Sequence, residues 1–257
     1  AGMKKGFTLA EVLITLGIIG IVASMTLPAI VQKYDEQANL VRLKRTFNVL
    51  SNALVAARAE NGDPNNWTFE GAEEEYNPDA ARNTLDTCIN KYILPYLAKG
   101  YTFRHLTTLS DAGYKTSIYK ANGTEYKKLN NQYSILRLND GTHVIFGYSG
   151  HAGSGIGSSD KDTLYLGAIS FVIDVNGPKL PNRLGKDIFL CKFPLLGNAS
   201  LIFDQRFEFR YEGSTFNGYR ILTESRDELF ENCKTVGEYC GALIQYDSWQ
   251  IKDDYPW

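Results

Sequence analysis

Residues 6–30 read GFTLAEVLITLGIIGIVASMTLPAI, and this stretch decides how the rest of the chain is interpreted. No residue from Val12 to Gln32 is charged. At a helical rise of about 1.5 Å per residue, this run is about 32 Å long, close to the ~30 Å hydrocarbon core of a bilayer. Lys4 and Lys5 stand just before it, and basic residues on this flank hold the N-terminus in the cytoplasm. The sequence therefore predicts a membrane-spanning helix that leaves the following domain outside the cytoplasm.

A carboxylate, Glu11, lies just inside the N-terminal edge of this apolar run. A charge within a membrane helix costs roughly 2.5–3.5 kcal/mol on insertion scales, and less near the interface, so such residues usually have a partner. Cleavage after Gly6 would give Phe7 a free α-amine one helical turn before Glu11, and the two charges would then neutralise one another. Two other interpretations stay open: a plain membrane anchor, and a secretory signal peptide with a poor cleavage site at residues 22–24.

The hexapeptide Gly6-Phe7-Thr8-Leu9-Ala10-Glu11, followed by the apolar run, resembles the prepilin signal of type IV pilins and type II secretion pseudopilins. The resemblance covers about the first 25 residues and is highly specific. It implies that a membrane-embedded prepilin peptidase cuts after Gly6 and methylates the new N-terminal residue, Phe7. It also implies that Glu11 pairs with the N-terminus of an adjacent subunit and sets the stagger of filament assembly.

Gly17, Gly20 and Pro28 lie inside the apolar run. Proline removes a helix hydrogen bond and clashes with the preceding turn. The resemblance implies that the helix between Gly20 and Pro28 can melt and let an assembled filament stretch. A simple kink in an anchor helix is the alternative.

Helical spacing continues beyond the apolar run. Six apolar residues recur at intervals of three and four and form one stripe: Leu40, Leu43, Phe47, Leu50, Leu54 and Ala57. Residues 61–64, Asn-Gly-Asp-Pro, supply stop signals. We therefore expect one helix from Phe7 to Asn61, roughly 80 Å long if continuous, which suits a filament core. The predicted division is a leader at 1–6, a transmembrane and filament-core helix at 7–32, an amphipathic half at 33–62 and a globular head at 63–257.

Strand patterns cluster after this long helix. Residues 132–148 resemble a hairpin around the turn Asn139-Asp140-Gly141, and further strands are predicted at 168–175, 188–193 and 207–211. A helix is predicted at 80–97, with its end disturbed by Pro95. The resulting fold class is α+β, with a long N-terminal helix packed on an antiparallel sheet in a pilin-like arrangement.

Composition and motifs argue against an enzyme or a nucleic-acid binder. The formal net charge is −2 and the isoelectric point is about 6.0, so no broad phosphate-binding face is expected. The chain has three histidines, His105, His143 and His151, and none belongs to a known catalytic pattern. We therefore predict no enzymatic activity.

The segment at residues 174–189, DVNGPKLPNRLGKDIF, is the most site-like part of the head. Asp174, Asn176 and Asp187 are oxygen donors of the kind that calcium prefers, and some pseudopilins hold calcium in a late head loop. The spacing nevertheless misses the EF-hand pattern, and Lys179 and Lys186 nearby would lower cation affinity. We predict no cofactor, with calcium as the weaker alternative to a β-turn whose side chains bond to backbone amides.

The chain has four cysteines, none in a C-x-x-C pair, so zinc and thioredoxin-like sites are disfavoured. Cys233 and Cys240 resemble the C-terminal disulfide loop of many pilins, and Cys88–Cys191 would complete the set. Reduced, buried cysteines are the alternative.

The overall prediction is a structural subunit, a minor pilin or pseudopilin of a type IV pilus or type II secretion pseudopilus. The resemblance implies insertion in the bacterial inner membrane before assembly, then an extracellular or periplasmic filament. Its partners would be other pilin subunits, the prepilin peptidase and an inner-membrane assembly platform. The alternative is a membrane-anchored or exported carbohydrate- or surface-binding module; an anchored enzyme ranks third. In such a module the C-terminal aromatic residues Trp249, Tyr255 and Trp257 would stack on sugars or bases, but the favoured interpretation is that they cover the sheet edge or fill a groove in the head.

Overall fold

The fold consists of one long N-terminal helix and a head built on an antiparallel sheet. The computed structural model of the chain describes residues 8–64, 67, 85–86, 88–146, 168–194, 201–203, 207–212, 215–221 and 224–256. The predicted leader at 1–6, Phe7, the last two residues of the predicted hairpin (147–148) and Trp257 lie outside the described residues.

Helix α1 runs from Leu9 to Asn61 and is 53 residues long. Thr8 caps its N-terminus, and Gly62 ends it with φ 76°, a conformation that glycine adopts without steric cost. The amide of Gly62 donates a 2.9 Å hydrogen bond to the carbonyl of Arg58, which closes the last turn. The predicted single helix and its end at Asn61 are therefore confirmed, while its start falls at Leu9 because Thr8 is extended.

The two halves of α1 have opposite surroundings. All six residues of the predicted apolar stripe, from Leu40 to Ala57, are buried against the head. The large apolar side chains between Leu9 and Val31 are all exposed, with exposed fractions from 41% to 80%. The first half of α1 thus extends beyond the head, and the second half forms part of its core.

Within the described residues, the main sheet has six antiparallel strands in the order β1-β4-β5-β6-β7-β8. These strands are β1 (Thr102–Thr108), β4 (Gln132–Arg137), β5 (His143–Phe146), β6 (Ala168–Asp174), β7 (Ile188–Pro194) and β8 (Ile202–Phe203). Two short pairs accompany the sheet: β2 (Ile118–Tyr119) with β3 (Glu125–Lys127), and β9 (Phe207–Glu212) with β10 (Thr215–Ile221). The predicted hairpin and the strands near 168, 188 and 207 are all present, and the fold class is α+β as predicted.

Strand alternation gives the sheet two buried faces. On β6, Ile169, Phe171 and Ile173 belong to the same hydrophobic cluster as the α1 stripe. Val172, between them, belongs to a second cluster on the opposite face, with Ile145 of β5. The segment from Leu109 to Ile118 covers this second face, so the central strands carry apolar residues on both sides.

The C-terminal part of the chain closes the α1 side of the core. It contains α2 (Arg226–Val236) and α3 (Cys240–Tyr246). Beyond α3, the Trp249 ring lies edge-on to Phe47 of α1 and Phe203 of β8, with centroid distances of 5.6 and 5.8 Å. The Phe47 and Phe203 rings stack at 4.6 Å, so three aromatic rings join the helix, the sheet and the C-terminal segment.

The predicted helix at 80–97 is only partly described. Residues 85–86 and 88–92 are helical, and a 3₁₀ helix (Leu94–Tyr96) follows where Pro95 was expected to disturb the end. Strands β1, β2, β3, β8 and β10 and helices α2 and α3 were not predicted.

Candidate functional site

The N-terminus of α1 is built by reciprocal bonds between Thr8 and Glu11. Glu11 Oε2 accepts hydrogen bonds from the Thr8 amide and the Thr8 hydroxyl, both 2.8 Å long. The Thr8 hydroxyl oxygen accepts a 3.2 Å bond from the Glu11 amide. These bonds form a capping box, which supplies partners for amides that a helix start leaves without one.

The capping box gives Glu11 a role that sequence reasoning missed. The signal was present, because Thr8-x-x-Glu11 is the threonine–glutamate spacing of a capping box. Within the described chain, Glu11 Oε1 accepts no hydrogen bond, so one carboxylate oxygen remains for a cationic partner. The predicted cleavage and methylation residues, Gly6 and Phe7, lie outside the described residues.

In the exposed half of α1, side-chain hydroxyls form hydrogen bonds with the backbone of the same helix. The hydroxyls of Thr15, Ser24 and Thr26 donate to backbone carbonyls three or four residues earlier, at 2.8 to 3.0 Å. Such internal bonds allow these residues to enter a hydrocarbon environment without losing hydrogen bonds. This helix is long and apolar enough to cross a membrane.

The predicted flexibility residues lie in this half. Pro28 lies inside α1, which continues on both sides of it, and its missing amide leaves the Ser24 carbonyl without the usual backbone donor. A Cβ at Gly17 or Gly20 would meet no atom within 4 Å, so both sites are open. Small open positions let a second helix approach the backbone closely.

The oxygen donors of the late head loop take part in a buried hydrogen-bond network. Asp187 accepts bonds from the amides of Asn182 and Arg183 at 2.9 and 2.8 Å. Asp174 accepts a 2.6 Å bond from the Tyr114 hydroxyl and a 3.2 Å bond from the amide of Asn176. The two carboxylates therefore accept hydrogen bonds from backbone amides, as the β-turn interpretation expected for Asp174, whereas the Asn176 side chain donates a 3.4 Å bond to the Leu180 carbonyl.

His143 completes this network from the neighbouring strand. It pairs with Asp174 in the β5–β6 register, and its Nδ1 lies 3.1 Å from the Tyr114 hydroxyl oxygen. Because that hydroxyl donates to Asp174, the arrangement suits a neutral imidazole that donates from Nδ1. Neither Tyr114 nor His143 was predicted as a partner of Asp174, since the sequence places them far apart.

Burial controls protonation in this network. It raises the pKa of Asp174 well above its usual range, and repulsion from Asp187 raises it further. Burial likewise raises the pKa of Asp187. Burial lowers the pKa of His143 to about 4, and the charges of Arg137 and Arg104 act in the same direction. The folded head therefore favours the uncharged imidazole and disfavours carboxylate charge in this network.

The loop that carries the calcium candidates Asp174, Asn176 and Asp187 packs against the sheet. Among the described residues, no group of three or more histidine, cysteine, aspartate or glutamate side chains is placed to hold a metal ion. Gly177 has φ 65°, and a Cβ there would lie 2.7 Å from the Gly141 carbonyl oxygen, so the turn packs tightly against the β4–β5 hairpin. The loop is shaped by packing and backbone hydrogen bonds.

Two of the four cysteines form a disulfide and the other two do not. Cys233 and Cys240 are joined by a disulfide, the pairing that the resemblance implied. The expectation of a second disulfide between Cys88 and Cys191 is wrong, because neither is in a disulfide and both are fully buried in the main core. Their apolar surroundings suit reduced thiols, and burial raises the pKa of Cys88 well above its usual range.

Comparison with known proteins divides the chain into two matched parts. A family model described as "Prokaryotic N-terminal methylation motif" matches residues 2–27. A second, described as "Family of unknown function (DUF6613)", matches residues 29–257. No curated protein and no solved structure matches the chain. The two matched ranges adjoin at Pro28, within the exposed half of α1.

Proposed function

The chain belongs to the family of unknown function DUF6613 and carries a prokaryotic N-terminal methylation motif, and from this premise we propose that it is a minor pilin or pseudopilin. The motif itself supports a type IV pilin- or pseudopilin-like exported subunit. We propose further that it builds a filament, either a type IV pilus or a type II secretion pseudopilus.

One observation carries the proposal: the methylation motif opens a helix whose first half is apolar and exposed. The large side chains from Leu9 to Val31 have no contacts that bury them, although the same helix is buried from Leu40 onward. Leaving so much apolar surface in water is unfavourable, so this half needs a bilayer or neighbouring helices around it. In a subunit that moves from the membrane into a filament, this half of α1 is surrounded first by lipid and then by neighbouring helices.

The methylation motif supports the remaining roles that we propose. A prepilin peptidase would cut after Gly6 and methylate Phe7, and other pilin subunits would bind the exposed half of α1. An inner-membrane assembly platform would extract the subunit from the bacterial inner membrane into an extracellular or periplasmic filament. Glu11, capped by Thr8, would present its second carboxylate oxygen to the methylated amine of a neighbouring subunit.

The head supports a mechanical role over a catalytic one. Its most site-like polar cluster contains Tyr114, His143 and Asp174, which are 3%, 3% and 0% exposed. A substrate has no access to groups buried to this degree, and the network is closed by its own hydrogen bonds. We propose that the protein is not an enzyme.

The alternative of a carbohydrate-binding module receives less support. Trp249 packs against Phe47 and Phe203, and Tyr255 donates a 2.7 Å hydrogen bond to the Gly185 carbonyl. These two C-terminal aromatic residues hold the head together, whereas sugar stacking needs an exposed ring face. The third, Trp257, lies outside the described residues.

Mass spectrometry of the protein recovered from sheared surface filaments, or from membranes, tests the proposal. We expect a mature chain that begins with N-methylated Phe7. A chain that retains residues 1–6 would support a plain anchor, and one that begins at Met25 would support signal-peptidase cleavage. Either of these two results would overturn the proposed function.

A further inference from the structure

One loop of the head, residues 176–187, carries an exposed apolar residue among exposed cations. Leu180 is 67% exposed, and Lys179, Pro181, Arg183 and Lys186 are also exposed. Among the described residues, none of the three cationic side chains forms an ion pair. We call residues 179–186 the basic tip.

Hydrogen bonds to buried parts of the head fix the backbone of the basic tip. Asn182 is fully buried, and its side-chain amide donates a 3.1 Å hydrogen bond to the Thr116 hydroxyl. Asp187 fixes the backbone of Asn182 and Arg183, and the Leu184 amide donates a 2.9 Å bond to the Tyr119 carbonyl. The buried network therefore fixes the backbone of the basic tip while its apolar and cationic side chains remain in solvent.

The basic tip lies at the level where the uncharged run of α1 ends. A groove of about 660 Å³ separates the loop from the helix, lined on the loop side by Lys179, Leu180 and Lys186. On the helix side it is lined by Val31 and Gln32, the last residues of the uncharged run, and by the turns that follow. The polar headgroup layer adds roughly 5–7 Å to each side of the hydrocarbon core. When α1 spans a bilayer up to Gln32, the end of the groove at Val31 and Gln32 is at headgroup depth, and the basic tip lines the same groove.

The charge of the basic tip is positive. Residues 179–186 contain three cations, Lys179, Arg183 and Lys186, and no carboxylate. The groove itself is balanced, because its other charged lining residues are Arg42, Asp35, Glu36 and Asp187. Glu36 is also engaged by Gln32 through a 2.9 Å hydrogen bond. A leucine flanked by cations suits a bilayer surface, where the apolar group enters the acyl boundary and the cations meet anionic headgroups.

We propose that the basic tip docks on anionic phospholipid headgroups of the membrane that α1 spans, with Leu180 inserted at the acyl boundary. This inference rests on the proposed function, because it requires α1 to be in the membrane. Docking holds the unassembled head against the bilayer at a second point besides α1. Extraction into a filament must break this contact.

Depth-dependent fluorescence quenching of the full-length protein in vesicles tests the proposal. A fluorophore is attached in the Leu180→Cys variant; labelling is selective because Cys88 and Cys191 are buried and Cys233 and Cys240 are joined. The quencher is a nitroxide on the lipid headgroup. The vesicles contain phosphatidylcholine alone or with about 30 mol% phosphatidylglycerol, the anionic probe lipid.

A matched control places the fluorophore in the Val55→Cys variant. Val55 is 66% exposed and is also apolar, but it lies 23 residues beyond Gln32 on α1, about 35 Å along the helix. We expect quenching at position 180 to exceed quenching at position 55 at least about threefold in anionic vesicles. Equal quenching at the two positions would overturn the proposal.

Charge reversal tests the headgroup contact. Each basic residue near an anionic surface increases membrane partitioning roughly fivefold. The double variant Lys179→Glu with Lys186→Glu should therefore lower docking more than about tenfold. Quenching at position 180 should then fall to the level of the Val55→Cys control. Equal quenching at position 180 with and without phosphatidylglycerol would overturn recognition of the anionic headgroup. Quenching at position 180 that falls as the protein density in the vesicles rises, whatever the lipid, would overturn lipid docking and show that the basic tip contacts a second copy of the chain. Failure of the protein to float with the vesicles would overturn the membrane span itself, which separates the two proposals.

Discussion

Glu11 and Thr8 bind each other in both directions at the start of α1, so the carboxylate has a partner inside its own chain before any neighbour arrives. This relationship means that Glu11 has two separable functions. One is capping, which needs an acceptor oxygen. The other is the proposed pairing with a methylated Phe7 amine, which needs negative charge.

We predict that Glu11→Ala and Glu11→Gln both lower incorporation into filaments, by at least about tenfold if the pairing contributes ~1.4 kcal/mol. Membrane insertion and processing should survive in both variants. Glutamine retains an oxygen that accepts from the Thr8 amide, so it serves as the control for capping. Normal filaments from Glu11→Gln, with loss only in Glu11→Ala, would show that the cap matters and the charge does not.

Removal of the disulfide should destabilise the head. Cys233→Ser with Cys240→Ser removes a cross-link with a sequence separation of 7, which the chain-entropy model values at about 2–3 kcal/mol. Urea unfolding of the two proteins measures the difference. Reductant should lower the stability of the wild type and leave the double variant unchanged. If reductant lowered the stability of the wild type and the double variant equally, the effect would come from groups other than the Cys233–Cys240 disulfide, and the prediction would be wrong.

Asp187 is predicted to stabilise the head through its backbone bonds without binding calcium. Asp187→Ala leaves the amides of Asn182 and Arg183 without their acceptor, at a cost of about 2–4 kcal/mol in unfolding free energy. Addition of calcium to the wild type should not shift the melting temperature, because both carboxylate oxygens already accept hydrogen bonds. A calcium-induced rise in the melting temperature that disappears in Asp187→Asn would contradict this prediction and support a calcium site.

His143 should make stability depend on pH. Its pKa falls from 6.5 to about 4 in the folded head, so the unfolded chain takes up a proton first as the pH decreases. The stabilising contribution is complete above pH 6.5 and is lost as the pH falls towards 4, on the order of 3 kcal/mol in total.

The measurement is urea unfolding of wild type and His143→Gln at several pH values in that window. Asp174 acts in the opposite direction, because its raised pKa makes its contribution decrease as the pH rises through the folded value. The difference between wild type and His143→Gln isolates the histidine contribution. A difference that does not change with pH would contradict a buried neutral imidazole.

The segment from Gly20 to Pro28 is predicted to be the least protected part of α1 in an assembled filament. Proline in a helix interior costs ~3 kcal/mol, so Pro28→Ala should increase amide protection there and reduce filament extension under force. Hydrogen exchange with mass spectrometry measures the first effect. Gly20→Ala should act in the same direction by about 1 kcal/mol, while Gly17→Ala, at an equally open position, lies outside the segment and serves as the control. Equal protection in all four proteins would favour a simple kink.

Much of the fold could be predicted because its signals are local. The stripe from Leu40 to Ala57 predicted both the helix and its buried face, and the turn at 139–141 predicted the β4–β5 hairpin. Helix α2 was missed although its signals are equally local: Ser225 and Glu228 form a capping box, and Gly237 ends the helix. Strand β1 was missed for a physical reason, since its register shifts between Arg104 and Thr107 and its sequence does not alternate.

The second disulfide failed as a prediction because cysteine spacing along the chain does not determine thiol geometry. Cys88 and Cys191 belong to the same buried core, yet no disulfide joins them. Disulfide formation requires specific Cα separations and side-chain directions, which only the folded backbone determines.

The sequence by itself determined the prepilin-type signal, the uncharged run, the long helix and most of the central strands, because each depends on residues within a few positions of one another. The tertiary structure alone decided that Tyr114, His143 and Asp174 meet in one buried network, and that the exposed loop beside it lies level with the end of the uncharged run. Those relations depend on strand register and on how the sheet packs against α1. They therefore arise from contacts between residues that are distant in sequence, and neither spacing nor composition encodes them.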